Sequence, residues 1–426
     1  MRKRLGYFTR GTFQYGDAVK IGLRFRCHLL TDPADIQHVL VRNAQGYAKG
    51  RQLSSKSGKQ RAGDGLLTKS GADHRERRRL LQPLFHERSV ESHASLIVDE
   101  TQQLMARWQH GQMIDIAEEM AQLSRSILMS TVFGRDWNEG RDRLNDAIMT
   151  RRRYTEFLYH SRLPFRDRLP IRLVRDHQRA TKTIDEIVFR EIERRGSDPN
   201  DDFLSKLVDM QSPDVGGLDD QEIRDEVLTL TSAGHETTAD TLAWSWYLIA
   251  THPEVESEWR NELEQVHESN LCDPPVWQKL AYTRMILDES NRLYPPTWLF
   301  ARVPLAADTL PSGLSVDPSC TLLLCQYLMH RHPGFYSDPE RFDPNRFRDP
   351  PSGSRLLQAY FPFGAGPHTC IGEAFSRMQS VLVLAAIGRR FCFQLSPNDQ
   401  IVPEPGLTLY PRNGVRGMLV LKGECR

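Results

Sequence analysis

The run Phe363-Gly-Ala-Gly-Pro-His-Thr-Cys370-Ile-Gly372 puts one cysteine at the end of a glycine-rich turn and directly before a helical pattern. Glycines let backbone approach a flat ligand closely. A helix N-terminus stabilises a thiolate and lowers its pKa. Backbone N–H groups near the turn can donate to the sulfur and tune an attached metal. A single thiolate cannot close a zinc site, but it suits one axial position of a haem. The plainer alternative is an inert buried cysteine at a helix start.

Three other groupings carry chemistry. Ala233-Gly-His-Glu236-Thr237-Thr238 lies at the centre of a long helical pattern, Leu218–Ala250. A glycine and two β-branched threonines make a weak helix centre, which predicts a local distortion there. A carboxylate and a hydroxyl beside it could hold waters and relay protons, with Glu236 as the acid and Thr237 as the alcohol. A kinked core helix with satisfied hydroxyls is the alternative. Glu289 and Arg292 stand i, i+3 on one helix face, close enough to pair. Glu76/Arg79 and Glu191/Arg194 have the same spacing and are expected on solvated faces. His74 and Arg78, four apart, share another face, which could equally be a solvated basic one.

The loop at Cys370 resembles the haem-binding loop of the cytochrome P450 family, F-G-x-G-x-[RH]-x-C-x-G, at all six fixed positions. Ala233–Thr238 resembles that family's oxygen-activation motif. Glu289-Ser-Asn-Arg292 resembles its E-x-x-R helix, and Phe342-Asp-Pro-Asn-Arg346-Phe its F-x-P-[ED]-R-F partner, with Asn345 in place of the usual acid. The resemblance implies that Cys370 is the proximal ligand of haem b and that Glu236 and Thr237 are catalytic. It implies propionate partners in His74, Arg78, Arg302 and His368. It also places Arg346, rather than its neighbour Arg341, in a buried ion network with Glu289 and Arg292. Breaking such a network costs roughly 3–5 kcal/mol. The expected fold is mainly α with minor β, a triangular prism holding haem between the long central helix and the Cys370 helix. One catalytic domain, 1–426, is expected. The implied reaction takes R–H, dioxygen, two electrons and two protons to R–OH and water.

The elements that must position these residues are mostly helical. Ala18–Ile21 and Arg24–Leu30 alternate as strands, and Thr31-Asp-Pro opens a helix through Leu40. Helix prevails from about Gly71 to Arg195, with breaks at Gly111, Gly134, Pro164 and Pro170. Arg151–Leu173 reads as irregular, either a mobile cover over a pocket or an ordinary connection. Helices are expected at Ala281–Tyr294 and Gly372–Arg390, and a coil from Pro333 to about Pro351. Ala301–Leu305, Thr321–Leu324 and Leu407–Leu421 read as β.

Net charge is +1, from 56 basic and 55 acidic residues, so bulk charge gives no argument for nucleic acid. No stretch approaches the ~18–20 apolar residues that span a bilayer. Seven thinly spread cysteines, none in C-x-x-C, fit a reducing compartment and a cytoplasmic chain. With neither a flavin domain nor an iron–sulfur cysteine set, electrons must come from a separate ferredoxin or flavodoxin with its reductase. Arg75, Arg77 and Arg79 could help dock that donor. Trp298, Leu299 and Phe300 suggest an apolar pocket and a small lipophilic substrate, such as a terpene, fatty acid or polyketide, on a monomeric protein. Arg151–Arg153 reads as a solvated face. The rival readings are a peroxide-using or rearranging haem-thiolate enzyme and a non-catalytic haem sensor.

Overall fold

The computed structural model describes residues 5, 18–21, 26–160, 171–198, 200–214, 217–267, 270–348, 359–397 and 399–424. The expected breaks at Pro164 and Pro170, and the start of the second strand at Arg24, lie outside them. Helix dominates, with small sheets at the margins. The largest sheet joins β1 (Ala18–Ile21), β2 (Cys27–Leu30), β3 (Tyr47–Lys49), β4 (Phe300–Pro304) and β5 (Thr321–Leu324) in the order β1-β2-β5-β4-β3. Its register sets Lys49 of β3 opposite Arg302 of β4. A hairpin, β6 (Pro403–Pro405) and β7 (Leu409–Pro411), lies apart from that sheet. Between β2 and β3, the helix capped by Asp32 is α-helical only over Pro33–Gln37 and continues as a π-turn, His38–Arg42.

The helices that frame the site are α1 (Gly71–Leu81), α2 (Ala94–Met105), α3 (Ile116–Phe133), α4 (Arg141–His160), α5 (Arg172–Ser197), α6 (Asp220–Ala233), α7 (Glu236–Thr251), α8 (Ala281–Leu293) and α9 (Glu373–Arg390). The 218–250 pattern is thus two helices rather than one, parted at the Gly234-His235 step. The start of α6 is a capping box: Asp219 accepts from the Glu222 N–H at 2.7 Å and Glu222 accepts from the Asp219 N–H at 3.3 Å. Pro295-Pro296 follows the end of α8, since a proline ring cannot continue a helix. Arg151–His160 is regular helix, which corrects the irregular reading of that stretch.

The main core packs α9 against α2, α3, α7 and α8. From Met378 to Gly388, α9 is buried at every position, as a helix through the middle of a large core must be. Below it lies the ion network. Arg292 donates to both oxygens of Glu289, at 2.6 and 2.8 Å, and to the carbonyls of His330, Pro339 and Arg341 at 2.9, 2.7 and 3.0 Å. All five guanidinium N–H donors are therefore occupied. Arg346 Nε stands 3.4 Å from Glu289. The side chain in the network is Arg346, whereas Arg341 contributes its carbonyl.

Two expected solvated faces are not solvated. Glu191 is buried against Arg195, itself tied to Asp202 at 2.6 Å. Arg151 is buried and donates to the Arg61 carbonyl, leaving only Arg153 of its trio exposed. Cys27, Cys272, Cys320, Cys325 and Cys370 are free thiols, but Cys392 is disulfide-bonded, against the expectation of unpaired cysteines. No helix among the described residues is long and apolar enough to cross a membrane.

Candidate active site

The Cys370 loop is held at both ends. Gly364 and Gly366 have φ of 76° and 68°, a region that glycine enters without steric cost. A side chain on Gly366 would overlap the Leu40 carbonyl of the π-turn. The Cys370 N–H donates to Phe363 O at 2.8 Å, and Arg78 of α1 donates to the Thr369 carbonyl. Cys370 is accessible, yet burial is the main influence on its thiol. Accessible surface at that depth lines an internal cleft. Ser232 and Ala233, at the end of α6, are accessible too, although the Asp225–Leu228 turn before them is buried.

The thiol differs from the expected sign. Burial pushes it above the ordinary cysteine range, against the Gly372 N–H and Arg78, which pull it down. The helix-terminus effect is present and desolvation exceeds it. A coordinated metal removes this barrier, because coordination deprotonates a thiol outright.

On one side of the cleft five basic side chains converge: Lys49, His74, Arg78, Arg302 and His368. The rings of His74 and His368 lie 4.1 Å apart between centroids. Lys49 Nζ donates to the Leu66 and Leu67 carbonyls at 2.7 and 3.0 Å, and Arg302 Nη1 to its neighbour's carbonyl at 3.0 Å. Among the described residues no carboxylate pairs with any of the five. Burial and mutual repulsion push His74 and His368 down to about 3 and Lys49 to about 7, and burial takes Arg302 to about 10. His368 Nδ1 has no hydrogen-bond partner among the described residues. Such a cluster fits an anionic group with several acceptor oxygens, as the two propionates of a haem provide.

On the central helices, α7 begins at Glu236 with His235 as its N-cap. Thr237 Oγ1 donates back across the break to Ala233 O at 3.1 Å. Arg152 of α4 places Nε 2.8 Å from Glu236 Oε1, and His235 Nε2 lies 3.8 Å from the same oxygen. Glu236 Oε2 has no partner among the described residues. Burial raises Glu236 above its usual range, with Arg152 opposing. Thr238 fixes α7 to α9 through Ser376 at 3.0 Å.

The structure thus gathers His74, Arg78, Arg302 and His368 beside the Cys370 loop, and sets Glu236 and Thr237 at the start of α7, which Thr238 ties to the helix that follows Cys370. Sequence reasoning missed Lys49 and Arg152. Trp298 is not a pocket wall: it is buried with Leu29 and Leu409 and donates to Gly406 O at 3.0 Å. Thr297 is the accessible residue there. Arg77 is buried and paired with Glu222 and Glu226, so of the three arginines expected to dock the electron donor only Arg75 and Arg79 face solvent.

A mainly helical fold, with an accessible cysteine loop, a cluster of basic side chains beside it and a broken central helix bearing an acid and an alcohol, fits a haem-thiolate oxygenase. The cytochrome P450 family profile matches residues 7–415, and the chain belongs to that family. It is similar to cyclooctat-9-en-7-ol 5-monooxygenase of Streptomyces melanosporofaciens, 33% identical over 93% of this chain and 84% of that protein. Pentalenene oxygenase of Streptomyces avermitilis is 29% identical over 96% of this chain and 91% of its own length. The protein is a P450 monooxygenase with a haem-thiolate cofactor, taking dioxygen, a lipophilic substrate and electrons from a redox partner.

Proposed function

We propose that the chain, as one catalytic domain, hydroxylates or epoxidises a cyclic terpene on haem b ligated by Cys370. The observation that carries the cofactor assignment is the set of five basic groups without carboxylate partners beside the accessible Cys370. Lys49, His74, Arg78, Arg302 and His368 would neutralise the propionates, and the Gly372 N–H would temper the sulfur. Haem supplies reductive activation of dioxygen. Glu236 and Thr237 hold and pass the two protons the reaction consumes, Glu236 from its free Oε2 and Thr237 from its hydroxyl. The Arg152 ion pair keeps Glu236 oriented and ties α4 to α7.

The terpene assignment rests on the activities named for the two relatives. Electrons come from a separate ferredoxin or flavodoxin, for which the exposed Arg75 and Arg79 supply positive charge. The enzyme works as a monomer, and its five free thiols favour a cytoplasmic setting, against which the disulfide at Cys392 counts. The test is spectroscopic. Reduced protein with carbon monoxide should show the red-shifted Soret band of thiolate ligation, and a histidine-type band would reject Cys370 as the ligand. Cyclic terpenes and terpene alcohols should displace iron-bound water and shift the ferric spectrum. Fatty acids binding in their place would overturn the substrate class.

A further inference from the structure

One turn beyond Glu236 on α7 stands a second carboxylate, Asp240, which the mechanism above does not use. Its Oδ2 is buried and has no hydrogen-bond partner among the described residues. The groups facing it come from three elements. From α4 come Arg152 and Glu156, from the β6–β7 hairpin Thr408 and Tyr410, and from α7 itself Glu236. Thr408 acts on Asp240 as a hydrogen-bonding group, although its hydroxyl lacks the direction of a full bond. The hairpin is pinned over this seam: Trp244 of α7 donates to Leu409 O at 2.8 Å, and Leu409 N donates to Pro296 O at 2.9 Å.

The cation that acts on Asp240 among the described residues is Arg152, and it is already engaged with Glu236, on which Arg125 acts as well. A buried carboxylate without a cation takes up a proton rather than stay charged. Burial accordingly pushes Asp240 well above the ordinary carboxylate range, while Glu236 is raised with Arg152 opposing.

We propose that Asp240 is a proton store, protonated at neutral pH, from which Glu236 is recharged between its two deliveries. The inference rests on the reading that Glu236 delivers protons to the cleft. In the transfer the O–H bond of Asp240 breaks and one forms on Glu236 Oε2, the oxygen facing away from Arg152. Asp240 is left as the carboxylate until solvent restores its proton by way of Glu156. Glu156 is half-buried and accepts from Leu407 N at 3.3 Å at the exposed tip of the hairpin. No electron moves, and one proton is taken from solvent for each one passed inward.

Infrared spectroscopy of the resting ferric protein tests the protonation state without turnover. Asp240→Asn, neutral and of the same shape, should remove one deuterium-sensitive C=O stretch of a protonated carboxyl. In turnover it should lower product formed per electron several-fold and enlarge the solvent isotope effect. Wild-type coupling should fall as pH rises through the Asp240 titration, whereas the variant's should be low and flat with pH. Asp240→Glu should restore both the band and the pH dependence. A ferric spectrum with no band lost in Asp240→Asn means that Asp240 is ionised and overturns the proposal. Loss of the band with coupling and isotope effect unchanged also overturns it. In that case uncoupling by Glu236→Gln would show that the reading of Glu236 itself stands. Should Glu236→Gln also be harmless, both readings fall.

Discussion

Replacing Glu289 by alanine should cost this protein more than any exposed substitution of the same kind. Arg292 and Glu289 are both fully buried, and the carboxylate takes two of the five guanidinium donors. Its Oε1 also accepts the Asp343 N–H at 2.9 Å and lies 3.4 Å from Arg346. Truncation would leave a buried cation facing three carbonyls and no anion. Removing one partner of such a pair costs about 3–5 kcal/mol, and the orphaned Asp343 N–H adds about 1 kcal/mol. Against a total stability of about 5–15 kcal/mol, that is a large fraction. The control is Glu139→Ala, which breaks the Arg190–Glu139 pair at 3.6 Å, where the two side chains are 56% and 71% exposed. An exposed pair is worth about 0–1 kcal/mol. Urea unfolding followed by tryptophan fluorescence should therefore separate the two variants by at least about 2 kcal/mol. If Glu289→Ala unfolds within about 1 kcal/mol of the wild type, the network does not hold the fold as described.

Lys49→Met should weaken haem retention about tenfold or more, the effect of losing one charge-assisted contact of about 1.5–3 kcal/mol. Competition with a haem-scavenging protein measures it, and unchanged transfer rates would remove Lys49 from the site. Thr237→Ala should keep haem but divert electrons to hydrogen peroxide, so product per electron equal to wild type would reject its role. The haem-free protein should lose stability as pH falls below about 6.5. His74 and His368 sit at about 3 in the fold, so the unfolded chain binds protons first, costing up to about 1.4 kcal/mol per pH unit per histidine. Haem propionates beside them should raise both pKa values and flatten that slope. Parallel denaturation series at several pH values, with and without haem, would show whether the slopes differ.

The chemistry of the site was legible where function needs a residue type at a fixed spacing. Cys370 in its glycine turn, Glu236-Thr237 at a weak helix centre, and Glu289 with Arg292 one turn on are all of this kind. The broken helix was legible for the same reason, although it proved to be two helices and not one bent rod. Positions fixed only by pairing between distant elements were not. Lys49 joins the basic cluster through a β3–β4 register that places it opposite Arg302. Arg152 reaches Glu236 because α4 continues through a stretch that composition suggested was irregular. That helix is held by the Arg151 bond to Arg61 and by Tyr154 stacked on His177, with ring centroids 4.0 Å apart. The sign of the Cys370 shift was missed because the helix terminus can be read from sequence, whereas desolvation depends on everything packed around it.

The close approach of Gly366 to Leu40 has a consequence for how the protein matures. The loop that presents Cys370 is shaped against a turn more than 300 residues earlier in the sequence, and Lys49 and His74 also belong to that early portion. Contacts between such remote segments form late, because the intervening chain must first lose its freedom. During synthesis the early segments wait, exposed, for the loop that completes their site. Cofactor capture should therefore follow synthesis of the Cys370 loop. Until that moment Lys49, His74, Arg78, Arg302 and His368 repel one another without a counter-charge. Iron or porphyrin shortage in the cell should then appear as proteolysis of a newly made chain, before it appears as lost turnover.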